Sequence, residues 1–472
     1  MKTSDFNSST PFMKRLLPGI FFIAFWLQPI LAFQSSAYFS GDIPKPPDNG
    51  SLRISTFDID ATPPVGSPLA YDQAINIWDL GLRAKGIVLQ GSGQPIVLCA
   101  IDWLLISNEG MDEFKHALAA AAGTVPQRVR VHVVHQHDAP VYDSGAESIL
   151  LKAGIDPKVS KPIHYDGTFG RETIRKLAVA VANSLAQFQP VTHLGLGKAP
   201  VYNVASNRNI YGPDGKVRVT RMSATKDSLV RAEPEGLIDP ELSLVSFWNQ
   251  DKPVAVLSFY ASHPQSYYRT GIANPDFVGL ARFLRQLAVP DALHVHFNGA
   301  GGNIAAGKYN DGSHENRLVL AQRLADGMKR AWDATRREPI QFGDLHWTVN
   351  PVALPPGRHL YKIRESLAKN NELLLESSDN ARQMAWLSRS EAGKKFELAC
   401  LTLNKARLLF MPGELFVEYQ LAAKSVRPDL FVAMAAYGDI GSGYIGTKEA
   451  YPKGGYEVSE GHPLSHPKWR RC

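Results

Sequence analysis

His135 and His137 close a stretch in which a β-branched run, Val129-Arg130-Val131-His132-Val133-Val134, gives way to His-Gln-His and then to Asp138-Ala139-Pro140. Side chains on a strand alternate faces, so this spacing predicts two imidazoles pointing the same way from the carboxyl end of a sheet. Paired imidazoles can hold a divalent cation, one nitrogen ligating and the other fixed by a neighbouring acceptor. They can equally be satisfied histidines at a strand end. Other polar residues recur where apolar runs stop. His263 ends the run 253–261, Asn298-Gly299-Ala300-Gly301-Gly302-Asn303 follows 293–297, Glu414 follows 398–410, and tyrosines follow Ala436. In α/β sheets the ligand crevice lies outside the carboxyl ends of strands. Two imidazoles, a carboxylate and an open position compose a hydrolytic zinc site.

Each residue also has a plainer structural role. His263 precedes Pro264 and could be a buried turn histidine. Glu414 follows Pro-Gly and could complement a helix dipole. The run 298–303 could be a tight turn, and it lacks the Gly-Lys-Ser/Thr ending of a phosphate loop. A His-Glu-x-x-His motif is absent, and His135 to Asp138 lacks the Asp-His ending of a metallo-β-lactamase-type motif. Asp102, at the end of an apolar run, is either a partner to a metal ligand or a loop cap.

The elements that must position these residues read as an α/β fold, a mixed β-sheet core flanked by helices with the site at strand carboxyl ends. Strands are expected at 52–59, 85–89, 95–101, 192–198, 242–248, 253–261, 293–297, 398–410 and 430–436. Helices are expected at 111–122, ended by Gly123, and at 171–188, 277–287, 317–335 and from Glu414 to 424. The polar stretch 142–168 has the length of a lid or binding-wall loop. The charged, leucine-spaced segment 361–390 reads as a surface helical excursion without persistent heptads.

With 472 residues, 44% hydrophobic and 20% charged, the chain can bury a large core. A net charge of +6 without a basic, aromatic-interleaved stripe argues against nucleic acid as a partner. Lys14-Arg15, the apolar run 16–33 and the small polar exit at 34–37 form an export-signal pattern, so residues 1–37 are expected to direct export to the periplasm or medium. Residues 38–51 are a linker, and 52–472 a single catalytic domain. Pro18 and Pro29 argue against a stable membrane span once the signal is cleaved, an uncleaved anchor being the alternative. Cys99, Cys400 and Cys472 are too scattered for a disulfide framework or thiolate zinc site, and Cys99 is expected to be an inert core residue.

The order of these words, from about Leu52 to Glu457, resembles the N-terminal catalytic domain of the neutral/alkaline (non-lysosomal) ceramidase family. The most specific match is Tyr444-Ile445-Gly446-Thr447-Lys448-Glu449-Ala450-Tyr451, continuing to Tyr456-Glu457, with tyrosines seven and twelve residues after Tyr444. The resemblance implies one zinc ion held by His135, His263, Glu414 and Tyr444. It places His137 beside them as acid/base or hydrogen-bonding partner, and Arg208 and Tyr456 on the substrate side. Tyr444 could also donate to a developing oxyanion, as could backbone amides at Gly301, Gly302 and Asn303. Two departures stand out. Ala305 occupies the position of the family's serine, and the chain stops soon after the tyrosine word, short of the family's C-terminal β-sandwich.

Taken with the resemblance, these residues imply an exported zinc hydrolase that cleaves the N-acyl amide of a small or lipid-like substrate with metal-activated water. The alternatives are the same centre acting on an ester or a cell-wall or glycan-linked amide, or a metal-containing binding protein without turnover.

Overall fold

The computed structural model describes residues 50–465 except 77–79, 92, 162 and 461. The expected signal and almost all of the expected linker lie outside the described residues. Three mixed sheets form the framework. The first takes Arg53–Asp60 (β1), Arg83–Gln90 (β2), Ile96–Ile101 (β3) and Val129–Val133 (β4), in the order β4-β3-β2-β1, with Gln189–Pro190 beyond β1. The second takes His193–Pro200 (β5), Glu241–Asn249 (β6), Lys252–Tyr260 (β7), Leu293–Asn298 (β8) and Arg336–Pro339 (β9), ordered β8-β7-β6-β5-β9. The third runs Leu345–Val352 (β10), Phe396–Leu403 (β11), Ala406–Phe410 (β12) and Phe431–Ala435 (β13).

Each sheet ends in one parallel pair, β3 with β4, β7 with β8 and β12 with β13. The edge strands β4, β8 and β13 join just past their carboxyl ends. Asn298 Nδ2 donates to the Val134 carbonyl at 2.7 Å, the Ala436 amide to the Asn298 carbonyl at 2.9 Å, and the Val133 amide to the Tyr437 carbonyl at 3.1 Å. These bonds tie the carboxyl ends of the three edges together, and the residues following all three meet at one point.

Alternation along β3 shows how the core is divided. Val97, Cys99 and Ile101 pack with Phe114, Leu118 and Leu177 of flanking helices, whereas Ile96, Leu98 and Ala100 pack with Phe247, Phe297 and Leu401 of the other sheets. A strand buried on both faces reads as a continuous apolar run, and this one does. Burial pushes the Cys99 thiol well up, as suits an inert core residue.

Most elements fall where the sequence puts them, with three corrections. The stretch 142–168 is not one long loop: Asp143 accepts from the Ala146 amide and starts the helix Ser144–Lys152 (α1), which packs against Asp379–Glu391 (α2). That second helix buries Trp386 and Leu387, so the segment 361–390 is not wholly a surface feature. The run 398–410 is a hairpin, because Asn404 (φ +51°) and Lys405 turn the chain between β11 and β12.

Three histidines in this framework are buried and neutral. His132 Nε2 accepts from the Asn298 amide at 2.9 Å, His296 Nδ1 pairs with Ser258 Oγ at 2.9 Å, and His294 Nε2 lies 3.3 Å from the Val289 carbonyl. Burial pushes them down from 6.5 to about 3, 3 and 4 respectively. The unfolded chain protonates such groups near 6.5 and the folded chain only near 3 to 4, so the unfolded state binds more protons in between. Stability should therefore fall as pH drops from 6.5 towards 4, by up to ~1.4 kcal/mol per pH unit for each histidine. Urea unfolding at pH 7.5 and pH 5 should show a clearly lower midpoint at pH 5; equal midpoints would contradict this.

Candidate metal centre

The strand β4 ends two residues short of His135. The Val134 amide makes the last ladder bond, to the Ile101 carbonyl at 2.8 Å; the His135 amide then leaves the ladder for the Trp103 carbonyl at 2.9 Å, and His135 takes φ +73°. The two imidazoles thus converge from a pinned loop, not through strand alternation, which corrects the sequence expectation. Their ring centroids are 5.2 Å apart and nearly perpendicular. Gln136 between them reaches away, its Nε2 donating to Asp102 Oδ1 at 3.1 Å and to the Pro275 carbonyl at 3.2 Å. Asp138 accepts from the Arg269 amide at 2.7 Å and from Thr270 Oγ1 at 2.8 Å.

His263 follows β7, and its backbone amide donates to the Ile304 carbonyl at 2.9 Å. Its Nδ1 donates to the Gly301 carbonyl at 2.8 Å, while His135 Nδ1 donates to the Leu104 carbonyl at 2.7 Å. Each ring is therefore fixed as the tautomer whose Nε2 carries a lone pair. Glu414 does not open a helix. With Leu415 it forms a short parallel pair with Tyr444 and Ile445, and the helix Val417–Val426 starts three residues later. The carboxylate Oε2 lies 3.5 Å from His135 Nε2 and 3.2 Å from His263 Nε2.

Ligand atoms of His135, His137 and His263 all lie within 4.8 Å of one another. Among the described residues, His137 Nδ1 and Nε2, His263 Nε2 and Glu414 Oε2 are buried without a hydrogen-bond partner. Burial lowers His263 to about 4, and burial with the neighbouring histidines holds His137 well below its usual range. Burial alone would raise Glu414, but His135 and His263 outweigh it and hold the carboxylate well below its usual range. That attraction needs a proton on one imidazole; without it, the two lone pairs and the carboxylate oxygen repel. A cation relieves this, and tetrahedral ligands at zinc distances of about 2.0–2.2 Å would stand about 3.4 Å apart, close to the spacing seen here. The residues fit a divalent metal. His137 differs from the other two in having neither nitrogen tied to the protein.

The remaining expected residues surround this cluster. Tyr444 stacks near His263, centroids 6.3 Å apart, and its hydroxyl receives Arg208 Nη1 at 3.1 Å. Arg208 is fully buried; burial opposes its charge, but Tyr444 and Glu457 outweigh that and raise it. Burial and the nearby Glu414 push the Tyr444 phenol well up. Tyr456 is 37% exposed, beside Tyr444 and His462 at 6.0 and 4.0 Å. In the Gly301–Asn303 loop one of the three expected amides, that of Gly302, is already committed to the protein. The Gly302 amide donates to the Leu415 carbonyl, the Gly301 carbonyl orients His263, and the Asn303 carbonyl receives the Arg208 amide. Gly302 is required for close approach, since a Cβ there would sit 2.4 Å from the Glu414 carbonyl oxygen. Ala305 is buried in a short strand pair with Ser206.

Two neighbours, Tyr71 and Tyr268, carry no sequence signal of their own. Tyr71 and Tyr268 flank His137, at centroid distances of 5.7 and 5.4 Å. Tyr437, in the left-handed region at φ +60°, lays its ring 4.8 Å from that of His135. Asp102 neither touches the histidines nor caps a loop; it pairs with Arg282 at 2.5 and 2.8 Å and tethers Gln136. Local spacing finds neither Tyr71 nor Tyr268, because each arrives from a part of the chain distant from His137.

No family's sequence profile matches the chain, and neither does any curated protein. Solved structures share its fold. Neutral ceramidase from Pseudomonas aeruginosa is similar with a TM-score of 0.63 and 15% identity, over 90% of this chain and 72% of that one. A structure described as a ceramidase complexed with C2 is similar with a TM-score of 0.64 and 16% identity, over 89% and 73% of the two chains. The neutral-ceramidase resemblance is borne out as a shared fold.

Proposed function

We propose that this ceramidase-like fold carries a zinc-dependent hydrolase that cleaves the N-acyl amide bond of a small or lipid-like substrate and acts outside the cytoplasm. The observation that carries the reading is the buried convergence of two oriented imidazole lone pairs on the Glu414 carboxylate. His135, His263 and Glu414 would hold the cation, with Tyr444 beside them. When bound, zinc supplies Lewis acidity and lowers the pKa of water towards neutrality.

The chain's own groups would do the rest. His137, with both nitrogens free of protein partners and its pKa held low, accepts the proton released on attack and returns it to the leaving amine. Arg208 holds the Tyr444 hydroxyl in place and puts a fixed positive charge near the carbonyl oxygen as charge develops. Tyr456, at the exposed rim, meets the substrate. The export expectation rests on the sequence of residues 1–37. Among the described residues no helix is long and apolar enough to cross a membrane.

Metal content and turnover of the wild type and Tyr444→Phe test this. Wild type should carry about one zinc per chain and hydrolyse an N-acyl amide. Removing the phenol should weaken zinc retention against a chelator by about tenfold and lower kcat. A wild type free of metal, or one with full zinc and no turnover on amides or esters, would end the hydrolase reading. A second reading, the same centre acting on an ester or a glycan-linked amide, is favoured by Ala305, which has no hydroxyl to offer a ceramide. Turnover of N-acyl sphingosine alone in a panel of amide and ester substrates would exclude it.

A further inference from the structure

A cavity of about 280 Å³ lies beside β4, bordered by Arg130, Lys115, Lys395 and Glu397 and backed by Met411 and Ala436. Its lining holds five cations against three carboxylates. The carboxylates are already shared. Asp112 binds Arg389 at 2.9 Å and Lys394 at 3.3 Å; Glu397 binds Lys115 at 2.6 Å and stands 3.5 Å from Arg130 Nη1; Asp439 accepts the Asn108 and Gly441 amides. Lys395 has no carboxylate partner among the described residues.

Arg130 is the decisive group. Its side chain is 9% exposed, its guanidinium lies over the Trp347 ring at 5.2 Å, and Nη1 donates to the Val129 carbonyl at 2.7 Å. Nε and Nη2 are buried with no partner. These two N–H groups point the same way along one edge of the planar guanidinium, the two-pronged edge that matches an oxyanion bidentately. A buried charge with that edge unanswered is costly to keep, and burial pushes Arg130 down to about 10. An anion beside it would restore the balance.

We propose that this cavity is a binding site for a small oxyanion, a phosphate or carboxylate group, held by the Nε/Nη2 edge of Arg130 with Lys115 and Lys395. The site is separate from the histidine cluster but abuts its supports. Met411 lies three residues before Glu414, and Ala436 directly precedes Tyr437.

Isothermal titration of the intact protein with inorganic phosphate at constant ionic strength is the test. Wild type should bind one phosphate per chain. Arg130→Gln should weaken binding at least tenfold and Lys395→Ala two- to fivefold, whereas His263→Ala should bind as wild type does. Lys395 is exposed, so its variant reports even if the Arg130 variant fails to fold. No saturable binding to wild type, binding unchanged in both cavity variants, or binding lost only in His263→Ala would each overturn the proposal, the last by placing phosphate at the metal centre.

Discussion

His263→Ala is expected to strip the metal from the chain, abolish hydrolysis and leave the fold in place. His263 brings the best-oriented donor of the cluster. Its Nδ1–H is committed to the Gly301 carbonyl, its Nε2 faces Glu414 at 3.2 Å, and burial keeps it unprotonated until about pH 4. No neighbour can replace it. His137 has no tie to hold either nitrogen in position, and the Tyr444 hydroxyl is engaged by Arg208. Removing one of few ligands from a site that must also keep an open position should lower zinc from about one per chain to under a tenth. Turnover should fall by three orders of magnitude or more. The fold should survive, because the loop around His263 is held by backbone bonds, including His263 N to Ile304 O at 2.9 Å. The cost is the loss of one hydrogen bond, about 0.5–1.5 kcal/mol, because the Gly301 carbonyl keeps the Ile304 amide at 3.1 Å. Elemental analysis, amide turnover and a far-ultraviolet CD melt on one preparation check all three parts. Stoichiometric zinc in the variant would remove His263 from the ligand set.

Much of this centre is legible in the sequence because each parallel pair delivers polar residues where its apolar run stops. His135, His263 and Glu414 follow β4, β7 and β12, and hydrophobic patterning shows those strand ends clearly. What the sequence hides is how the ends are joined. Strand alternation puts His135 and His137 on one side, as found, but for the wrong reason: the His135 bond to Trp103 and its positive φ take the chain off the sheet first. Glu414 after Pro-Gly looks like a helix start until Tyr444, thirty residues on, pairs with it. The Gly301–Asn303 loop commits its Gly302 amide to Leu415 and turns its carbonyls to His263 and Arg208, a choice that depends on partners from 208, 263 and 415. Non-local pairing decides these points, and no local spacing encodes it.

Asp102 shows the same limit and gives the largest expected loss of stability. It is fully buried, makes a two-pronged pair with Arg282, accepts the Arg83 amide at 2.9 Å and holds Gln136 Nε2. Asp102→Ala leaves the Arg282 charge buried without its carboxylate, which should cost about 3–5 kcal/mol. Asp102→Asn, which keeps the shape and the Gln136 contact, should cost less. The Ala variant should also bind zinc more weakly, because Gln136 sits between His135 and His137 and would retain only the Pro275 carbonyl. A lost outer partner of a metal site typically lowers affinity ~10–100-fold. The two effects separate under measurement. Urea unfolding of the metal-free chain reads the ion pair, and chelator competition in folded protein at fixed temperature reads the tether. Weakened zinc binding that saturates at the wild-type stoichiometry, in protein still fully folded, makes Asp102 a positioning residue for the centre. Unchanged zinc affinity beside a lowered unfolding midpoint confines it to the framework, and the histidine loop must then owe its geometry to the bonds from Trp103, Leu104 and Asp138 alone.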